Sequence, residues 1–164
     1  MTYPPDHVSK NNKAASVVFS IYIVLSFYIF GGGVVNALVA YPTWRAVGPK
    51  EFVAFHQIDS DRIIPLFVVF FFMGFIPQIL LFWFRPLAVT RILIWGALLL
   101  NSIVLISTVT IQIPIQNQLQ DGFSLELINK LISTDLIFRR IPMICLAIIN
   151  FMMLYKVVNR FNIA

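Results

Sequence analysis

Four long apolar runs dominate the chain, at about residues 14–40, 63–84, 92–113 and 141–158. At about 1.5 Å per residue, runs of this length as helices match the roughly 30 Å hydrocarbon core of a bilayer. A soluble domain has no use for so much apolar sequence: 59% of the 164 residues are hydrophobic, 12% are charged, and mean hydropathy is +0.86. Lipid is the solvent such a chain fits, and in lipid the backbone must satisfy its own hydrogen bonds. The expected fold is all-α: one integral membrane domain over residues 1–164, a bundle of four transmembrane helices with short interfacial helices in loops one and three.

The first run follows Lys10 and Lys13 and exceeds the apolar core of a secretory signal, so it is read as a retained span. A net charge of +5 in a soluble protein would suggest nucleic acid, but here the basic residues stand at the ends of apolar runs, where they anchor helices. No nucleic-acid partner is expected. Basic residues divide evenly between the two sides of a four-span topology. The acids do not: Glu51, Asp59, Asp61, Asp121, Glu126 and Asp135 all fall in loops one and three, which favours cytoplasmic N- and C-termini. Trp83, Trp95 and Tyr155 are placed for one interfacial belt, Tyr41 and Trp44 for the other. Cys145 is the single cysteine, so neither an internal disulfide nor a thiolate cluster can form.

Loops one and three read as helices. Gly48-Pro49-Lys50-Glu51 puts proline at a first helical position and an acid in the first turn. Phe52, Phe55, His56 and Asp59 then recur at helical spacing, giving an aromatic face that ends in a His56, Asp59, Arg62 row. Ser124 is placed to cap a helix whose apolar stripe is Leu127, Ile128, Leu131, Ile132 and Leu136. Pro142 either starts a new helix or kinks a continuous one. The triplet Gly31-Gly32-Gly33 allows close approach of another helix or a ligand.

Asn36, Gln78, Asn101, Gln112 and Asn150 lie inside the runs, where an amide facing lipid would lack partners. Asn101 and Asn150 each come about nine residues into their spans, near the midplane, and form a candidate hydrogen-bonded pair. Asn36 and Gln112 lie at the end shared by Tyr41, Trp44, His56, Asp59, Arg62, Asp135, Arg139 and Arg140, so one mouth of the bundle is polar. Two readings fit: amides that glue helices together, or a ligand pocket under a charged rim with phenylalanines below it. His56 likewise reads either as a general base oriented by Asp59 or as a hydrogen-bonding helix cap. His56, Asp59 and Asp61 do not share one helix face, and no metal or other cofactor is expected.

Tyr41-Pro42-Thr43-Trp44 just after the first span, Ile113-Pro114 with Asn117 and Leu119 closing the third, and the polar, aromatic and arginine step from Asp135 to Arg140 resemble the anthrone-oxygenase-like family of small four-helix membrane proteins. The likeness extends over most of the chain. It departs before the last arginine, where Thr134-Asp135-Leu136-Ile137-Phe138-Arg139-Arg140 replaces an Asn-Trp or histidine-containing step. The resemblance implies the four-helix fold and, for some members, cofactor-free oxygenation of electron-rich polycyclic phenols. That chemistry needs a base to form a carbanion and a pocket that excludes water.

Three functions follow as expectations. The first is a pocket protein for a lipophilic aromatic or quinone-like molecule, with oxygenation as its catalytic form. There His56 and Asp59 supply the base, Arg139 or Arg140 stabilises an anion, and Asn36, Tyr41, Trp44, Arg62, Gln112 and Asp135 line the pocket. The second is an accessory subunit of a larger membrane complex, and the third a small transporter, for which no midplane ionisable residue and no inverted repeat speaks.

Overall fold

A computed structural model describes residues 5–161, with side chains over residues 13–160. Lys10, read above as a flanking charge, has its side chain outside the described residues. Four long helices form, and no strand occurs among the described residues. Helix α1 comprises Pro5–Val35, Asn36–Ala40 and Tyr41–Trp44; α2 comprises Phe52–Ile63, Ile64–Val68 and Val69–Leu80. Helix α3 comprises Arg91–Ser107, Thr108–Gln112 and Ile113–Gln120; α4 comprises Leu125–Asp135, Leu136–Arg140 and Ile141–Phe161. All four are long and apolar enough to cross a membrane. Large apolar side chains such as Leu38, Ile76, Ile92 and Phe151 stay exposed on the outside of the bundle, as a lipid solvent permits.

The middle segment of every helix is a five-residue π turn. The sequence supplies a cause, since each turn contains or closely precedes a proline: Pro42, Pro65, Pro114 and Pro142. Proline has no N–H, and its ring collides with the carbonyl four residues back. In α1, α3 and α4 that carbonyl lies inside the π turn, where widening the ladder by one residue relieves the collision, whereas in α2 Pro65 sits within the turn itself. The N–H groups of Tyr41, Val69, Ile113 and Ile141 reach back five residues to Asn36, Ile64, Thr108 and Leu136.

These turns correct the expected boundaries. The helices assigned to loops one and three are not separate elements: Phe52–Ile63 and Leu125–Asp135 continue through their π turns into the following spans. Pro142 therefore sits in a continuous helix and begins none. Ser124 caps α4 as its position suggests, accepting a hydrogen bond from the Leu127 N–H at 3.3 Å. Helix α2 stops at Leu80, short of the expected residue 84.

Helix α1 packs against α2 and α4, and α3 against α4. Three apolar clusters stack along the bundle, around Tyr22, Leu81 and Met153 at the terminal end, Ile29, Phe71 and Val104 in the middle, and Trp44, Phe52 and Leu131 at the mouth. The glycine triplet serves close packing. A Cβ on Gly32 would lie 3.0 Å from the Phe67 ring, and one on Gly33 would lie 2.9 Å from Arg140 Nη1, whereas one on Gly31 meets nothing within 4 Å.

The midplane amides do not pair with each other. Asn101 Nδ2 donates to Gln78 Oε1 at 2.7 Å, and Asn150 Oδ1 accepts from Tyr22 Oη at 2.7 Å. Each finds a partner on a different neighbouring helix, and the two asparagines border a small cavity of about 20 Å³ between them. Trp83, Trp95 and Tyr155 are exposed at the terminal end, as a belt requires. Tyr41 and Trp44 are not belt residues: they are 3% and 2% exposed, inside the bundle.

Candidate functional site

Helices α2 and α3 meet at the mouth, through Phe52–Ile63 and Ile113–Gln120, and their side chains join again deeper down at the Gln78–Asn101 hydrogen bond. Between those two ties lies a cavity of about 330 Å³. That volume is at the lower end of the range for small-molecule sites, roughly 300–1,000 Å³. Ile64 and Ile113 belong to its wall and are also 52% and 42% exposed on the outer surface, so the cavity borders the apolar outside of the bundle.

The wall is layered because the helices that build it run in alternating directions. Asp59, Ser60, Gln116, Asn117 and Gln120 stand toward the mouth; Asn36, Tyr41, Gln112 and Arg139 form a polar middle; Phe67, Phe71, Val104 and Met143 make an apolar floor. Each π turn contributes to it: Asn36 from α1, Ile64, Phe67 and Val68 from α2, Thr108 and Gln112 from α3, Arg139 from α4. The four prolines thus place their distortions around one cavity, a common location for π turns.

Behind the polar layer is a buried charge cluster. Asp135, Arg139 and Arg140 are 1%, 5% and 6% exposed. Arg140 donates from Nε and Nη2 to Asp135 Oδ2 at 3.0 and 2.7 Å, and Arg139 Nη1 lies 3.1 Å from Asp135 Oδ1. That second contact is an ion pair without hydrogen-bond alignment, which leaves Oδ1 without a hydrogen bond. Arg139 Nη1 also donates to Tyr41 Oη at 3.3 Å, and Asn36 Nδ2 donates to the same oxygen at 3.3 Å. One carboxylate faces two guanidinium groups, and a guanidinium stays protonated in a protein. The cluster therefore carries an excess positive charge.

His56 is 1% exposed and does not line the cavity. Its ring stacks on Phe52 with centroids 5.6 Å apart and meets Trp44 edge-on at 5.0 Å. Its Nε2 lies 2.8 Å from Oε1 of Gln116, which does line the cavity, while Nδ1 is buried without a partner. His56 thus reaches the site through Gln116. Asp59, its expected orienting partner, is itself on the wall, and Arg62 is exposed away from it.

Of the residues singled out from sequence, Asn36, Tyr41, Trp44, Asp59, Gln112 and Arg139 share the cavity wall; His56, Asp135 and Arg140 stand behind it; Gln78, Asn101 and Asn150 lie deeper in the bundle. Sequence reasoning overlooked Thr108, Gln116 and Gln120. With Val104 and Gln112 they form an unbroken series at every fourth position of α3, a stripe readable without coordinates. Gln112 is buried with neither side-chain polar atom hydrogen-bonded, and the indole N–H of Trp44 and Nε of Arg139 are also buried without a partner. Among the described residues, no three His, Cys, Asp or Glu side chains converge as metal ligands would.

No family model matches the chain, and neither a curated protein nor a solved structure matches it.

Proposed function

We propose that the chain is a multi-pass membrane protein that binds a lipophilic aromatic or quinone-like small molecule between α2 and α3. The observation that carries this reading is the cavity itself: an apolar floor of Phe67, Phe71, Val104 and Met143 below the polar layer of Gln112 and Arg139, bordered by lipid-exposed Ile64 and Ile113. Small-molecule sites combine a mostly apolar lining with a few polar groups that fix orientation, and this wall has that composition. A ligand dissolved in the bilayer has a direct route to such a site.

Oxygenation, which the anthrone-oxygenase-like resemblance implies, asks for a base in contact with the ligand. Asp59 is the acid on the wall, and His56 acts at one remove through Gln116. Binding is therefore the conclusion, with His56 assigned to holding the Gln116 carboxamide in place. The termini are proposed to face the cytoplasm because Glu51, Asp59, Asp61, Asp121, Glu126 and Asp135 stand toward the other end, while Lys and Arg divide evenly between the two.

Mass spectrometry of the detergent-purified chain tests the reading. A co-purifying lipophilic molecule is expected in the wild type and absent from Thr108→Phe, which adds a ring to the cavity wall. A stoichiometric partner protein with no small molecule in either preparation would replace this reading with that of a complex subunit.

A further inference from the structure

We infer that the ligand carries one negative charge at its polar end, an oxyanion such as a carboxylate or an ionised phenol, seated against Arg139. The inference rests on the proposed reading of the cavity as a ligand site and adds the chemical class of its occupant.

Two guanidinium groups and one carboxylate are buried together, so one positive charge lacks a counter-charge among them. An unbalanced charge away from water is costly unless a partner of opposite sign reaches it. Arg139 is the member of the cluster on the cavity wall, which makes the cavity the place from which that partner arrives. The hydrogen-bonding capacity left over around it points the same way. Of the wall residues' fully buried polar atoms without a partner, three are donors, Trp44 Nε1, Arg139 Nε and Gln112 Nε2, and one is an acceptor, Gln112 Oε1.

Asp59 is the countervailing group, since its carboxylate is on the same wall. It stands toward the mouth and is only partly buried, and among the described residues the ion pairs of Arg139 and Arg140 are with Asp135 alone. Water screens Asp59 more than it screens the buried arginines. A cationic ligand would meet Arg139 unfavourably, and a dianion would exceed the one charge left unbalanced.

The test uses the full chain in nanodiscs of phosphatidylcholine, in a Trp83→Phe, Trp95→Phe background that leaves Trp44 as the reporter. Quenching of Trp44 is titrated with 2-naphthoate and with its uncharged isostere 2-naphthamide. The acid is expected to bind tighter by about tenfold or more, the scale of one charge-assisted contact. Arg139→Gln should bring the two probes within about threefold of each other by weakening the acid far more than the amide. Retained amide binding shows that this variant is folded. Asp59→Asn, at the partly exposed rim, should tighten the acid more than the amide. Equal binding of both probes to the parent protein would overturn the anionic class while leaving the cavity reading intact. An acid preference that survives Arg139→Gln would overturn the assignment to Arg139. Absence of quenching by either probe would overturn the cavity reading itself.

Discussion

Asp135 and Arg140 are five residues apart on one helix, yet a single carboxylate oxygen of Asp135 accepts both Nε and Nη2 of Arg140, at 3.0 and 2.7 Å. In a regular α-helix five residues turn the side chain well away from the starting face, because each residue advances by about 100°. The π turn Leu136–Arg140 separates the two residues and removes part of that rotation. Asp135 can therefore hold Arg139, four residues on, and Arg140, five residues on, together.

Replacing Asp135 with asparagine strips both arginines of their counter-charge. Removing one partner of a buried ion pair costs about 3–5 kcal/mol. Thermal unfolding in detergent should show a midpoint lower by roughly ten degrees. Arg139→Gln leaves one arginine facing one carboxylate and should cost clearly less.

Gln112 is buried with both polar atoms unpaired. Gln112→Leu removes an unmet desolvation penalty of about 1–3 kcal/mol, so the ligand-free protein should unfold at the same temperature or higher. Binding should weaken in the same variant, by about tenfold if one hydrogen bond to the ligand is lost. A loss of stability would show that Gln112 is structural.

The two glycines at the α1 surface should part company. Gly31→Ala meets no neighbour and gains helix propensity, and should be neutral or stabilising by up to about 1 kcal/mol. Gly33→Val pushes into Arg140 Nη1 and the Met143 thioether, and Arg140 cannot swing aside without leaving Asp135. A destabilisation of about 1–3 kcal/mol is expected by thermal unfolding.

Polar coupling inside the bundle should follow the observed pairs. Double-mutant cycles for Tyr22→Phe with Asn150→Ala, and for Gln78→Leu with Asn101→Ala, should each give a coupling of about 0.6–1.7 kcal/mol. Asn101→Ala with Asn150→Ala should be additive within about 0.5 kcal/mol.

Labelling reports the topology. In a Cys145→Ala background, cysteines introduced at Lys50 and Glu126 should react with an impermeant reagent from one side of the membrane, and one at Leu87 from the other. Lys50 and Glu126 reacting from opposite sides would break the four-span arrangement.

The fold was legible because apolar run length and short polar connections leave little choice of architecture in lipid. The ends of the helices were less so. A hydropathy run stops at Arg62 or Arg140, but a helix does not, and the π turns that carry α2 and α4 through these points depend on backbone relief at proline and not on polarity. The collection of Asn36, Gln112 and Arg139 at one end followed from counting residues along the spans. Which of Arg139 and Arg140 faces inward did not, because a heptad-like count assumes uniform helical phase. The pairing of Asn101 with Gln78 was hidden for a further reason: depth in the bilayer is shared by several helices, and only lateral packing chooses among neighbours.

A π turn in each helix, all bordering the same cavity, also divides the bundle mechanically. Below that level Tyr22 bonds to Asn150 and Gln78 to Asn101, tying the helices across the lower bundle. Above it, each helix crosses a collar where the regular ladder has already been opened by proline, so bending there sacrifices few backbone bonds. The upper segments are braced in their turn, by the His56–Gln116 hydrogen bond and the cluster around Trp44, Phe52 and Leu131. The collar of opened ladders is therefore the seam between two tied halves, and the cavity lies at that seam.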